Sequence, residues 1–194
     1  PQIYLMSRTA SEVVKIATNC FLTTKISFAN MMGQVLTLDG MGDEIDNVLN
    51  AIGNDSRIGN KALKFGYGFG GPCLPRDNRA FAAYAKSLGV EYNLGNTTDN
   101  FNEAHNKFLL DYMICKNHKS LPFYFNYVSY KRGTDILTES QQFKLCRALL
   151  DEGYTVYIND NETILNRVKD TLYDQYYDRV KFGEPKEEVF KVDI

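Results

Sequence analysis

From Ala10 to Leu38, apolar residues recur at helical spacing without a break: Val13, Val14, Ala17, Cys20, Phe21, Thr24, Phe28, Met31, Met32 and Val35 form one broad face. Gly40 and Gly42 end the pattern. A helix of about 28 residues extends about 42 Å. In a chain of 194 residues, so long an apolar helix belongs in the middle of a domain or in an interface. Its face exceeds what this chain can cover, so the expectation is a homodimer. Thr9 or Ser11 is placed to cap the helix, with Glu12 in a first turn that suits negative charge.

Lys15 and Asn19 stand four apart on that helix, on one side of it. Two readings are open. One is a snorkelling lysine beside a solvated asparagine. The other is a cation and an amide donor aimed together at developing negative charge. Lys25 reads as surface.

The second organising stretch runs from Gly66 to Asp77, GYGFGGPCLPRD. Four glycines in six positions allow positive φ and close approach of a ligand, and such loops present N–H groups to anions. A helix is expected over Asn78–Leu88, with Pro75 in its first turn. Cys73 then lies just before a helix N-terminus and beside Arg76, two features that favour a thiolate nucleophile. The competing reading is a glycine-rich turn with a buried, inert cysteine. Arg57, Lys61 and Lys64 precede the loop and suit a phosphorylated ligand; three cations so close together also fit a solvated face.

Elsewhere, Ile3–Met6 reads as a short strand or connecting segment, 43–52 as a helix, 93–99 as polar loop, 101–114 as a helix and 116–120 as a linker. From Leu121 the character changes. A strand over 123–128, a helix over 139–152 closed by Gly153 and a strand over 154–158 make a βαβ unit of a parallel sheet. A helix over 164–177 follows, then a charged segment ending in a short strand. The fold class is therefore α plus α/β: an all-helical domain over 1–117, then a small Rossmann-like parallel α/β domain over 118–194. His105 and His118 are isolated and receive no role.

The formal charge of −2 gives no pull toward nucleic acid or acidic membrane surfaces. No apolar run is long enough to span a bilayer, and no signal peptide is visible. Cys20, Cys73, Cys115 and Cys146 are widely spaced without a CxxC pair, so neither a disulfide framework nor a zinc site is expected. A reducing cytoplasm fits. The chain opens on Pro1 rather than Met, which reads as a piece of something longer.

Three separated motifs, KIATNCFLTTKISFAN over 15–30, RIGNK over 57–61 and GFGGPCLPRD over 68–77, resemble the UDP-glucose/GDP-mannose dehydrogenase family in content and order. The resemblance is close over 10–90 and loose over 121–160. It implies an enzyme that oxidises the C6 alcohol of a nucleotide sugar such as UDP-glucose to a carboxylate, in two hydride transfers to NAD. It implies three domains: an N-terminal NAD-binding domain, a central helical dimerisation domain and a C-terminal Rossmann-like domain that binds UDP. Of these this chain matches the second and third.

By the same resemblance Cys73 is the catalytic cysteine, passing through a thiohemiacetal and a thioester. Lys15 and Asn19 stabilise the oxyanion and order water, and Asp77 assists as base. Arg57 reaches a substrate on the neighbouring subunit. Lys64 with Phe65, Gly66, Tyr67, Gly68, Phe69 and Gly70 forms the sugar-nucleotide loop, Lys131 is a substrate-binding lysine, and Arg76 stands at a cofactor contact. No metal is implied.

The chain also departs from the family. No G-x-G-x-x-G follows a strand near its start, Pro72 replaces a serine, Arg76 replaces a lysine, and 136–140 reads ILTES where an arginine near the cofactor is usual. A fragment with the cofactor domain missing is expected to be inactive alone. The alternatives are a non-catalytic sugar-nucleotide-binding or dimerisation module, and a cysteine hydrolase or acyltransferase that would need a histidine base.

Overall fold

The computed structural model describes residues 2–194. The chain forms two compact units. One takes the residues up to Phe65 together with Pro72–Glu103, and the other takes Gly66–Gly71 and Ala104–Ile194. The composition shifts near 117/118, whereas by contacts the glycine loop and the residues from Ala104 onward group with the sheet.

The helical unit is built on α1 (Arg8–Leu38). Ser7 caps it, its side chain accepting from Ala10 N at 3.2 Å. The cap therefore falls before both Thr9 and Ser11, because the extended backbone of Ser7 turns its oxygen to a free N–H of the first turn. Ile3–Met6 forms no strand and is exposed. A 3₁₀ turn (Gly42–Glu44) leads into α2 (Ile45–Gly53). Ala29, Leu36, Ile45, Leu49 and Leu63 form a buried cluster, with Met32, Val48, Ile52 and Phe65 packed on it. Gly33 lets α1 receive the Phe65 ring, since a Cβ there would lie 2.0 Å from it.

α3 (Leu74–Ser87) crosses α1 with Pro75 in its first turn, where a missing N–H costs nothing. Its buried Asn78 accepts from Thr23 Oγ1 of α1 at 2.8 Å and donates to the Gly95 carbonyl at 2.7 Å. Gly95 belongs to α4 (Leu94–Lys116), which begins inside the stretch that composition marks as loop. Local hydrogen bonds explain the difference. Asn93 Oδ1 accepts from Asn96 N at 3.0 Å, and Thr97 and Thr98 hydroxyls return to the carbonyls of Asn93 and Leu94. Polar side chains thus satisfy the turn that they would otherwise disrupt. Lys25, expected at the surface, is half-buried and donates to the carbonyls of Ile58 and Gly59 at 3.0 and 2.8 Å.

The second unit carries β1 (Phe123–Phe125), α5 (Gln141–Asp151), β2 (Val156–Ile158), α6 (Glu162–Tyr176), β3 (Val180–Phe182) and β4 (Phe190–Lys191). The sheet order is β3-β2-β1-β4, every pair parallel, with Phe123 opposite Val156 and Phe190. The charged C-terminal segment therefore holds two strands where one was expected. Ser140 and Asn161 cap α5 and α6, and Gly153 (φ +90°) closes α5. Leu145, Leu149 and Leu150 of α5, Ile164 and Val168 of α6, and Val156 and Ile158 of β2 are fully buried; β1 is buried along its whole length, while the outer strands β3 and β4 each expose a lysine, Lys181 and Lys191. Strand order reverses beside β1: β2 and β3 extend one way and β4 the other. In open α/β sheets ligands bind outside the carboxyl ends of the strands at such a point.

Candidate functional site

In the helical unit, Lys15 and Asn19 on α1 meet one carboxylate. Asn19 Nδ2 donates to Asp77 Oδ2 at 2.7 Å, and Lys15 Nζ forms a direct ion pair with the same oxygen. Arg76 Nε donates to Oδ1 at 3.0 Å. Spacing of four on α1 aims both donors to one side, and Asp77 lies in the first turn of α3, where the helix dipole favours negative charge. Asp77 is buried. Burial pushes its carboxyl up, but Lys15, Asn19 and Arg76 outweigh that and hold it below the usual carboxylate range. Lys15 is exposed along its side chain, yet its ammonium and the Asn19 amide both serve a buried anion.

Cys73 occupies the cap position of α3, and its carbonyl accepts from Asp77 N at 2.9 Å. Thiol and carboxylate are therefore one turn apart on one helix. Cys73 is exposed, which sets aside the reading of a buried cysteine; Cys115 is also exposed, while Cys20 and Cys146 are buried. Burial pushes the Cys20 and Cys146 thiols up. Arg76, expected beside the thiol and at a cofactor contact, is turned to Asp77.

Arg57 is exposed and gripped by Asp55, Nε on Oδ1 at 3.0 Å and Nη2 on Oδ2 at 2.6 Å. The Asp55 carboxyl is held low mainly by that guanidinium. Lys61 and Lys64 are exposed. The Phe65 ring packs against the α1 core.

In the sheet unit the glycine loop is held by its carbonyls. His105 Nε2 lies 2.7 Å from Gly66 O, and Gln141 Nε2 donates to Phe69 O at 3.2 Å. A Cβ on Gly70 would lie 2.4 Å from the Glu139 carbonyl, and one on Gly71 (φ +80°) 2.5 Å from the Tyr130 ring, so neither position tolerates a side chain. Phe69 is buried. Tyr67 is half-buried, its phenol pushed up first by burial and further by Tyr127 and Asp193. Those two residues follow β1 and β4, so the loop, Gly68 included, borders the strand-order reversal. Asp160 Oδ2 accepts from Val128 N and Ser129 N, both at 2.9 Å, and fixes the turn after β1 that leads to exposed Lys131. A lone histidine and a glutamine in a helical pattern carry no local signal, so only the tertiary structure shows what His105 and Gln141 hold. No group of side chains suited to a metal ion occurs among the described residues, and no helix there is long and apolar enough to cross a membrane.

Residues 9–104 match the model of the UDP-glucose/GDP-mannose dehydrogenase family, central domain. A UDP-glucose 6-dehydrogenase of Bacillus subtilis is 38% identical over 105 residues, 54% of this chain and 22% of that protein. One from Pseudomonas aeruginosa is 32% identical over 162 residues, 82% of this chain and 35% of that protein. The solved structure of a UDP-glucose dehydrogenase from Pyrobaculum islandicum superposes with a TM-score of 0.79 at 30% identity, covering 93% of this chain and 40% of that one. This chain thus spans well under half of each relative. Lys15, Asn19, Cys73 and Asp77 all fall within the matched span, and through it the chain belongs to the UDP-glucose/GDP-mannose dehydrogenase family.

Proposed function

We propose that this chain is the central and C-terminal part of a nucleotide-sugar 6-dehydrogenase that acts on UDP-glucose or a related nucleoside-diphosphate sugar. The observation that carries the reading is the joining of Lys15 and Asn19 to Asp77, one helical turn from an exposed Cys73. Motif residues far apart in sequence converge on one cluster able to hold a thiol, a cation and an amide donor together.

In this reading Cys73 Sγ attacks the C6 aldehyde. A C–S bond forms, and the carbonyl π pair moves to oxygen, giving a thiohemiacetal. Lys15 and Asn19 hydrogen-bond that oxygen as its charge grows. A thioester, reached only if hydride leaves C6 for an acceptor bound outside this chain, would take up water at its carbonyl carbon, break its C–S bond and release the Sγ thiolate. Asp77 is ionised and able to accept the water's proton. The donors already on it make it a weak base, so its larger contribution is to fix Lys15 and Asn19.

NAD supplies hydride acceptance to a dehydrogenase, and the residues of this chain do not fit it. Gly66, Gly68 and Gly71 spell G-x-G-x-x-G, but no strand precedes them, and Arg76 is engaged with Asp77. No step is therefore assigned to the dinucleotide here, and the chain alone is expected to be inactive. Backbone of residues 65–70, Lys64 and Lys131 are assigned to the nucleotide sugar, and Arg57 to a substrate held by a second copy. The domain division at 117/118 is retained as the functional boundary between the helical and UDP-binding parts.

A second copy also suits α1. Val14, Phe21, Phe28 and Val35 are exposed at intervals of seven, as are Met31 and Leu38. A strict seven-residue apolar repeat is the seam of a left-handed helix pair. Calorimetry on the 194-residue chain tests the ligand assignment: UDP-glucose is expected to bind and NAD not to. Tight NAD binding without a response to UDP-glucose overturns it.

A further inference from the structure

α4 turns two consecutive residues toward the supports of the glycine loop. His105 is fully buried, and Phe108 stacks on its ring at 6.2 Å with an interplanar angle of 15°. Its Nε2 is 2.7 Å from the Gly66 carbonyl oxygen. A carbonyl only accepts, so Nε2 carries the proton. Next to it, Asn106 Nδ2 donates to the Gln141 carbonyl at 3.1 Å, and Gln141 Nε2 donates to the carbonyls of Phe69 and Glu139, both at 3.2 Å. The loop is therefore held at two points three residues apart. Gly68 between them, and Gly70 just beyond, would otherwise sample a wide range of φ.

We propose that His105 is a positioning residue: its hydrogen bond to the Gly66 carbonyl holds the Gly66–Gly71 loop in the one conformation that accepts a nucleotide sugar, with Gln141 securing the Phe69 end. The inference rests on the reading of that loop as the sugar-nucleotide loop. A ligand that binds one loop conformation loses apparent affinity in proportion to the fraction of molecules outside it. Removing the donor takes the 2.7 Å hydrogen bond from the Gly66 carbonyl and loosens the N-terminal end of the loop. Burial keeps the ring below the ordinary histidine range, so it stays neutral and its donor stays on Nε2.

The test uses the 194-residue chain and the variants His105→Leu, His105→Gln and Gln141→Leu, with exposed His118→Gln as control. Two quantities are measured: amide hydrogen exchange of residues 66–71, and the affinity for UDP-glucose by calorimetry. His105→Leu is expected to speed exchange in the loop about tenfold, or about 1.4 kcal/mol, with β1 and β2 still protected, and to weaken UDP-glucose by a similar factor. His105→Gln, which keeps an N–H donor, restores both to within about threefold. Gln141→Leu loosens residues 69–71, and His118→Gln changes nothing. Wild-type loop exchange in His105→Leu overturns the proposal, as does equal damage from Leu and Gln. If the unaltered chain takes up no UDP-glucose while the loop still loosens in His105→Leu, the ligand reading fails and the positioning of the loop stands. If His105→Leu binds UDP-glucose as tightly as the unaltered chain, the positioning proposal fails and the ligand reading stands.

Discussion

Asn19 and Asp77, 58 residues apart in the chain, are joined by a 2.7 Å hydrogen bond that ties the middle of α1 to the first turn of α3. The bond is charge-assisted, and Lys15 shares its acceptor, so the two helices are locked in one register.

Replacing Asp77 by Ala should therefore cost stability as well as chemistry. Lys15, Asn19 and Arg76 lose a common acceptor, and the expected destabilisation is about 1–3 kcal/mol. Urea unfolding of the variant beside the unaltered chain measures it. A loss below about 0.5 kcal/mol would show that the cluster contributes little to the fold.

Acid should weaken the chain in two windows. The folded pKa of Asp77 is depressed from 3.8, so its contribution is fully present above that value and is lost as pH falls through the lower folded value. His105 is depressed from 6.5, so the unfolded chain takes up a proton first and stability drops as pH falls below that point. His105→Gln should abolish the upper window and leave the lower one. Melting curves from pH 7 to pH 3 on both proteins check this, and an unchanged upper window in the variant would remove His105 as its source.

The four cysteines should separate by reactivity. Cys20 and Cys146 are buried and should alkylate only on unfolding. Cys73 and Cys115 are both exposed, so Cys115 is the fair comparison. Peptide mapping after iodoacetamide at several pH values should show Cys73 reacting faster, and UDP-glucose should slow it. Equal rates for the two would leave the nucleophile assignment without chemical support.

The apolar seam of α1 should make the chain a homodimer at tens of micromolar protein. Phe21→Glu places a charge in that seam and should yield monomers that keep their helical circular dichroism. Sedimentation equilibrium decides; a monomer for the unaltered chain would contradict the assignment of α1 to an interface.

Gly33→Ala should cost about 1–3 kcal/mol, because the added methyl would lie 2.0 Å from the Phe65 ring and the core has to shift. Thermal unfolding tests the estimate, and a neutral result would mean that Phe65 has another place to go.

Much was settled by the sequence alone. Apolar period and glycine breaks placed α1 to within two residues of its start, and Pro75 marked the head of α3. Alternation of strand and helix after Leu121 announced the parallel sheet. Such features are local: they depend on side chains a turn or a pleat apart, which a linear reading can measure. The order of three motifs was equally legible. Tertiary structure decided what lies between distant residues. Which group Lys15 and Asn19 bond is decided by α3, which brings Asp77 to them. Asn93–Asp99 read as loop until its own hydroxyl and amide groups were found closing a helical turn. His105 carried no signal, because its meaning is a single carbonyl 39 residues earlier in the chain. Hydrogen bonds across such separations depend on how whole elements pack, and no periodicity in the sequence encodes them.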